Sequence, residues 1–150
     1  MLALRTFVLS AALLATLVPA ATAGAKKPTP ADRMIAKINK ARGNHGLRPL
    51  RTAPKLMRSS RGYARHLIRT DTFGHGSSYA SAGFKRSGEI LALTRGWRRK
   101  PHPALGLWLH SAGHRALILS SSFRYVGVSP ARGHFGGRRT TIWVAHFGAH

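Results

Sequence analysis

The residues able to do chemistry in this chain are few, and acids are the scarcest. Three carboxylates, Asp32, Asp71 and Glu89, stand against 25 lysines and arginines, and Glu89 is the only glutamate. Glu89 lies between Gly88 and Ile90 at the head of a short apolar run ending at Leu93, where an unpaired charge is costly. His75 follows Phe73 and Gly74, and His114 opens the helix-like run from Gly113 to Leu119. The three positions are 14 residues (75 to 89) and 25 residues (89 to 114) apart, so spacing alone does not show that they meet. A lone histidine is more often structural than catalytic. There is no HExxH, no Gly-rich phosphate loop, no GxSxG and no cysteine nucleophile. Three carboxylates leave paired-acid glycoside chemistry almost no material. Any site must be assembled from distant positions.

The elements that would assemble it are readable from periodicity. A helix is predicted over 31–43, where Met34, Ile35, Ile38 and Ala41 share a face, with Gly43 and Gly46 ending it. The segment from Leu47 to Leu50 is expected to be extended. A second helix is predicted over 53–70, with Leu56, Ser60, Tyr63, Ala64, Leu67 and Ile68 inward. Arg58, Arg61, Arg65 and Arg69 fall outward and read as a solvated face. Residues 71–87 read as a loop, 88–93 as a strand and 94–103 as a basic loop. A third helix fits 104–111 through Leu105, Trp108 and Leu109, and a helical turn fits 113–119. Two strands are predicted over 124–128 and 140–147, joined as a hairpin by the Gly-containing loop 130–139. In the second of these, Ile142 and Val144 point one way while Trp143, Ala145 and Phe147 point the other. A strand apolar on both faces needs helices on both sides, which predicts a three-layer α/β/α sandwich.

Composition sets the surroundings. Arg5, the apolar run 6–18 and the small residues Ala21, Thr22 and Ala23 predict a cleavable secretory signal over 1–23. A 13-residue apolar run spans about 20 Å as a helix, short of a bilayer core of roughly 30 Å. No later stretch approaches membrane-spanning length. Residues 24–31 read as a linker and 32–150 as one domain, expected to be monomeric. The chain has no cysteine, so packing alone must hold it, which argues mildly for a bacterial source. The formal net charge is +22, suited to anionic lipid or wall polymers. The arginines are scattered along the chain rather than blocked together, and this speaks against a specific nucleic-acid site.

Several segments, in order, carry a family resemblance. They are Ile38 to Arg42 with Leu47 to Leu50, then Leu56 through Tyr63, Ala64 and His66, then Phe73-Gly74-His75. Gly88-Glu89-Ile90, Trp108 to Arg115, Tyr125 to Val128 and Trp143 to Gly148 follow. From about Met34 onward this set resembles the CAP superfamily (cysteine-rich secretory proteins, antigen 5, pathogenesis-related 1), also called the SCP-like extracellular domain, in its short bacterial branch. The resemblance implies an α/β/α sandwich with a small central, mainly antiparallel sheet, and a cleft where His75, His114 and Glu89 converge. It departs at two places. Ser111 stands where the family has its second acid, and Ile90 where it usually has Asn.

Two chemistries follow for such a cleft. His75 and His114 could hold Zn²⁺ with a third ligand from His102, His110 or His146, while Glu89 orients or deprotonates a bound water. Alternatively, Glu89 accepts hydrogen bonds from one or both cleft histidines without any required metal, which would depress its pKa. Three functions are then in play: an exported, non-enzymatic module binding an envelope or extracellular ligand, a metal-dependent hydrolase, or a nonspecific polyanion binder.

Overall fold

The computed structural model describes residues 27–76 and 83–150. The signal expected over 1–23 and the start of the linker lie outside the described residues. Helix α1 (Pro30–Gly43) begins one residue earlier than expected and takes in the last two residues of the expected linker, because Thr29 and Asp32 form a capping box. The Thr29 hydroxyl accepts from the Asp32 N–H at 3.1 Å, and the Asp32 carboxylate accepts from the Thr29 N–H at 2.8 Å. Met34, Ile35 and Ile38 are buried as the periodicity predicts, but Arg42 is buried too. Its guanidinium donates to the carbonyls of Arg48 (3.0 Å), Ile118 (2.6 Å) and Ser120 (2.9 Å), so hydrogen bonds replace a counter-ion.

Strand β1 (Arg51–Thr52) and helix α2 (Pro54–Thr70) come next. Arg58, Arg61, Arg65 and Arg69 are all exposed, as the solvated-face reading has it. Strand β2 (Arg86–Arg95) is longer at both ends than the apolar run 88–93, because its polar ends still pair with a neighbour. Helix α3 (Pro101–His110) starts three residues earlier than expected. Pro101 and Pro103 read as breakers in sequence, yet proline is well suited to a helix's first turn. Helix α4 (Ala112–Ile118), strand β3 (Tyr125–Phe135) and strand β4 (Arg138–Ala149) complete the chain. The expected loop 130–139 shrinks to a two-residue turn, Gly136 and Gly137, both with positive φ (54° and 72°). That conformation suits a tight hairpin and favours glycine.

The sheet order is β1-β3-β4-β2, with β3–β4 and β4–β2 antiparallel and β1–β3 parallel. Tyr63, Ala64 and Leu67 of α2 pack on Leu91, Ile142 and Val144 on one face. On the other, Met34, Ile35 and Ile38 of α1, Ala104 and Trp108 of α3, and Ile118 of α4 meet Trp143, Ala145 and Phe147. The three-layer α/β/α sandwich with its mainly antiparallel sheet is therefore the observed fold. Among the described residues no helix is long and apolar enough to cross a membrane.

Candidate functional site

One rung of the sheet carries the site. In register, Gly127 of β3 faces His146 of β4, and His146 faces Glu89 of β2. All three lie on the α2 face, since His146 continues the alternation of Ile142 and Val144. A methyl built on Gly127 would overlap the backbone of Leu56 and Met57, so α2 rests directly on the sheet there. This close approach brings the Ser59 hydroxyl to 2.7 Å from His146 Nδ1. His146 is fully buried, and its Nε2 meets Glu89 Oε2 at 2.8 Å.

The other carboxylate oxygen is held from the segment after α2. Asp71 closes the helix in a left-handed conformation (φ 52°) and its carboxylate accepts from the Gly136 N–H at 2.7 Å. The Tyr63 hydroxyl donates to the Gly74 carbonyl at 2.5 Å, fixing the turn that follows. His75 Nδ1 then sits 2.8 Å from Glu89 Oε1, and the Gly76 N–H donates to the same oxygen at 3.0 Å. The Glu89 side chain is 5% exposed, while that of His75 is 63% exposed. Burial alone raises the Glu89 pKa, but donors from His146, Gly76 and His75, together with electrostatic attraction toward the His146 ring, outweigh it and leave it below the ordinary value. With Glu89 ionised, each histidine donates to one oxygen.

His114 enters from α4 and is half-buried. Its Nδ1 is buried without a hydrogen-bond partner among the described residues. Burial, and then repulsion from His75, lower its pKa, so the neutral ring is favoured. Of the two cleft histidines expected to supply one or both hydrogen bonds to Glu89, His75 makes one and His114 does not, and His146 takes the second oxygen. A signal for His146 exists in the sequence, because an imidazole two residues beyond Val144 on an apolar strand face needs a partner as much as Glu89 does.

Zinc would need at least three protein donors with free lone pairs. Among the described residues His75 and His114 each keep a ring nitrogen without a hydrogen-bond partner, but both oxygens of Glu89 and both nitrogens of His146 are engaged. Of the other candidates, His110 spends Nδ1 on the Gly106 carbonyl one turn back at 2.8 Å, and His102 is exposed on the first turn of α3. Among the described residues no three His, Asp or Glu side chains are grouped to hold a metal ion. The donor set does not fit a zinc centre of the usual kind. Ser111, at the position where the resembling family has its second acid, is the residue between α3 and α4.

The sequence profile of the cysteine-rich secretory protein family, CAP, matches residues 35–147. The chain belongs to the CAP family. It does so without a single cysteine. An uncharacterised Bacillus subtilis protein, YkwD, is 27% identical over 106 residues, covering 64% of this chain and 40% of that one. The CAP chain therefore spans about two fifths of the length of that curated relative. Among solved structures, an outer surface protein of Borrelia burgdorferi superposes with a TM-score of 0.63 at 20% identity, over 79% of this chain and 90% of that one. An extracellular SCP-domain protein of Bacillus anthracis gives 0.65 at 21%, over 81% and 40%. At these identities the structural likeness speaks for the CAP fold alone.

Proposed function

We propose that this CAP domain is a secreted, non-enzymatic binding module for an envelope or extracellular ligand, a lipid or an anionic polymer. The observation that carries the reading is the saturation of Glu89. Three donors hold the only glutamate, one of them from a fully buried histidine that Ser59 anchors in turn. A carboxylate so held is a fastener, poorly placed to take a proton from substrate or water. Ser111 supplies no second acid, so the acid–base pair that a hydrolase would use is missing. The leader-like residues 1–23 support an exported setting, as do the outer-surface and extracellular settings given for the similar proteins.

The test is retention of the purified protein on isolated wall and membrane fractions at about 150 mM salt, where long-range charge attraction is largely screened. Retention that weakens in His114→Ala is expected. Failure of every fraction to retain the protein would remove the proposal. Retention that collapses steeply with salt and ignores His114→Ala would point to nonspecific polyanion binding. Calorimetry with Zn²⁺ tests the hydrolase reading: heat that disappears in His75→Ala would favour it over the binding module.

A further inference from the structure

At the hairpin end of the sheet, away from the Glu89 rung, a single exposed indole sits among cations. Trp97 follows β2 and is 39% exposed, whereas Trp108 and Trp143 are fully buried. The segment carrying it is bolted to the β3–β4 hairpin. Gly96 N–H donates to the Arg139 carbonyl at 2.7 Å, and the Thr141 hydroxyl donates to the Gly96 carbonyl at 2.7 Å. Trp97 Nε1 donates to the Gly133 carbonyl at 3.0 Å. The Arg139 guanidinium lies over the indole, 4.7 Å from its centroid, and the His134 ring meets it edge-on at 5.6 Å.

Strand alternation places the neighbouring charges. Ala131 and Phe135 pack on the α2 side and Gly133 lies against Ile68 of α2, so Arg132 and His134 project from the opposite face. Arg139, paired with His134 in the register, shares that face. Arg98, Arg99 and Lys100 follow Trp97 directly, and all three are exposed. Counter-charge is scarce throughout the molecule. Of the three acids, Glu89 is bound to histidines, Asp71 to the Gly136 N–H, and Asp32 caps α1 beside a groove that Arg99 also lines.

We propose that this face docks on an anionic lipid bilayer, with Trp97 entering the headgroup region and Arg98, Arg99, Lys100, Arg132 and Arg139 meeting the lipid charges. The proposal rests on the envelope-binding reading above and names a partner and a surface for it. Two features favour a bilayer over a soluble polyanion. The indole N–H is already satisfied within the protein, so moving the ring into an apolar layer strands no donor. One face of the ring is covered by Arg139, which hinders base stacking but suits an interfacial tryptophan flanked by arginines. The loop is fixed to the hairpin, so docking orders little additional chain.

The buried state of Trp108 and Trp143 makes the experiment specific, because a bilayer quencher can reach Trp97 alone. The full chain, expressed and purified in wild-type and variant forms, is titrated with vesicles of phosphatidylcholine alone or with phosphatidylglycerol, each carrying brominated acyl chains. Expected is quenching with the anionic vesicles only. Arg98→Glu with Arg99→Glu should weaken it more than about tenfold, each cation being worth roughly fivefold near such a surface. A control of equal charge change, Lys40→Glu with Arg48→Glu at the far end of α1, should leave it within about twofold. No quenching by anionic vesicles overturns the proposal. So does equal loss in both pairs, which would mean net charge alone, or vesicle binding without quenching, which would mean polyanion behaviour. His114→Ala should leave quenching unchanged while weakening retention on envelope fractions, so failure of the cleft reading and failure of this one are distinguishable.

Discussion

Glu89 and His114 make acid the natural denaturant of this site. The Glu89 pKa lies below its ordinary value, so the unfolded chain binds that proton more tightly than the native one. Its contribution is complete above about pH 5 and is lost as pH falls through the lowered native value. His114 titrates below its ordinary 6.5 in the fold, so the same sign applies. Its contribution is full above about pH 7 and is lost as pH falls below 6.5 through the native value. The melting temperature should therefore fall in two stages on acidification. His114→Gln should flatten the upper stage. Glu89→Gln should flatten the lower one and cost about 1–3 kcal/mol at neutral pH. A Glu89→Gln profile parallel to wild type would show that the carboxylate is not the acid-sensitive group. The importance of Glu89 is legible from sequence, since a sole glutamate on an apolar strand must be paired. Its partner His146 is less so, because register decides it, and register comes from the hairpin turn and from β2 pairing across 57 residues.

At the scale of elements, α2 and the β3–β4–β2 sheet form one device through Gly127. Gly127→Ala pushes α2 off β3, because its added methyl meets backbone rather than a flexible side-chain end. A loss of more than about 2 kcal/mol is expected from such overpacking. The Ser59–His146 contact should loosen with it, read as faster exchange of the His146 ring proton in NMR. An unchanged stability would mean that the helix does not rest on the sheet at that point. The long amphipathic helices and the alternating strands are legible because each buries a face of its own. β1 escapes sequence reading for the opposite reason. It has two residues, both exposed, and its Arg51 N–H finds its partner in the Arg124 carbonyl far along the chain. Arg42 escapes too, because its burial depends on three carbonyls from two later segments.

For the molecule as a whole, a formal charge of +22 opposes compaction. Screening that repulsion should stabilise the fold, so the melting temperature is expected to rise by several degrees between about 10 and 300 mM salt, where the Debye length falls from roughly 30 to about 6 Å. A flat or falling response would mean that the cations are already neutralised within the fold. Without disulfides, cooperativity has to come from topology, and here β4 is decisive. It pairs with both β3 and β2, supplies both core faces and carries His146, yet it follows both of its partners in the sequence. Until residues 138–149 arrive, β2 and β3 have no shared neighbour, and Glu89 lacks the buried half of its clamp. A chain emerging in order from a ribosome or a translocation pore thus cannot complete this sheet until residues 138–149 are out. Loss of everything from Arg138 onward would leave no smaller version of this domain, because β2 and β3 would then have no strand between them.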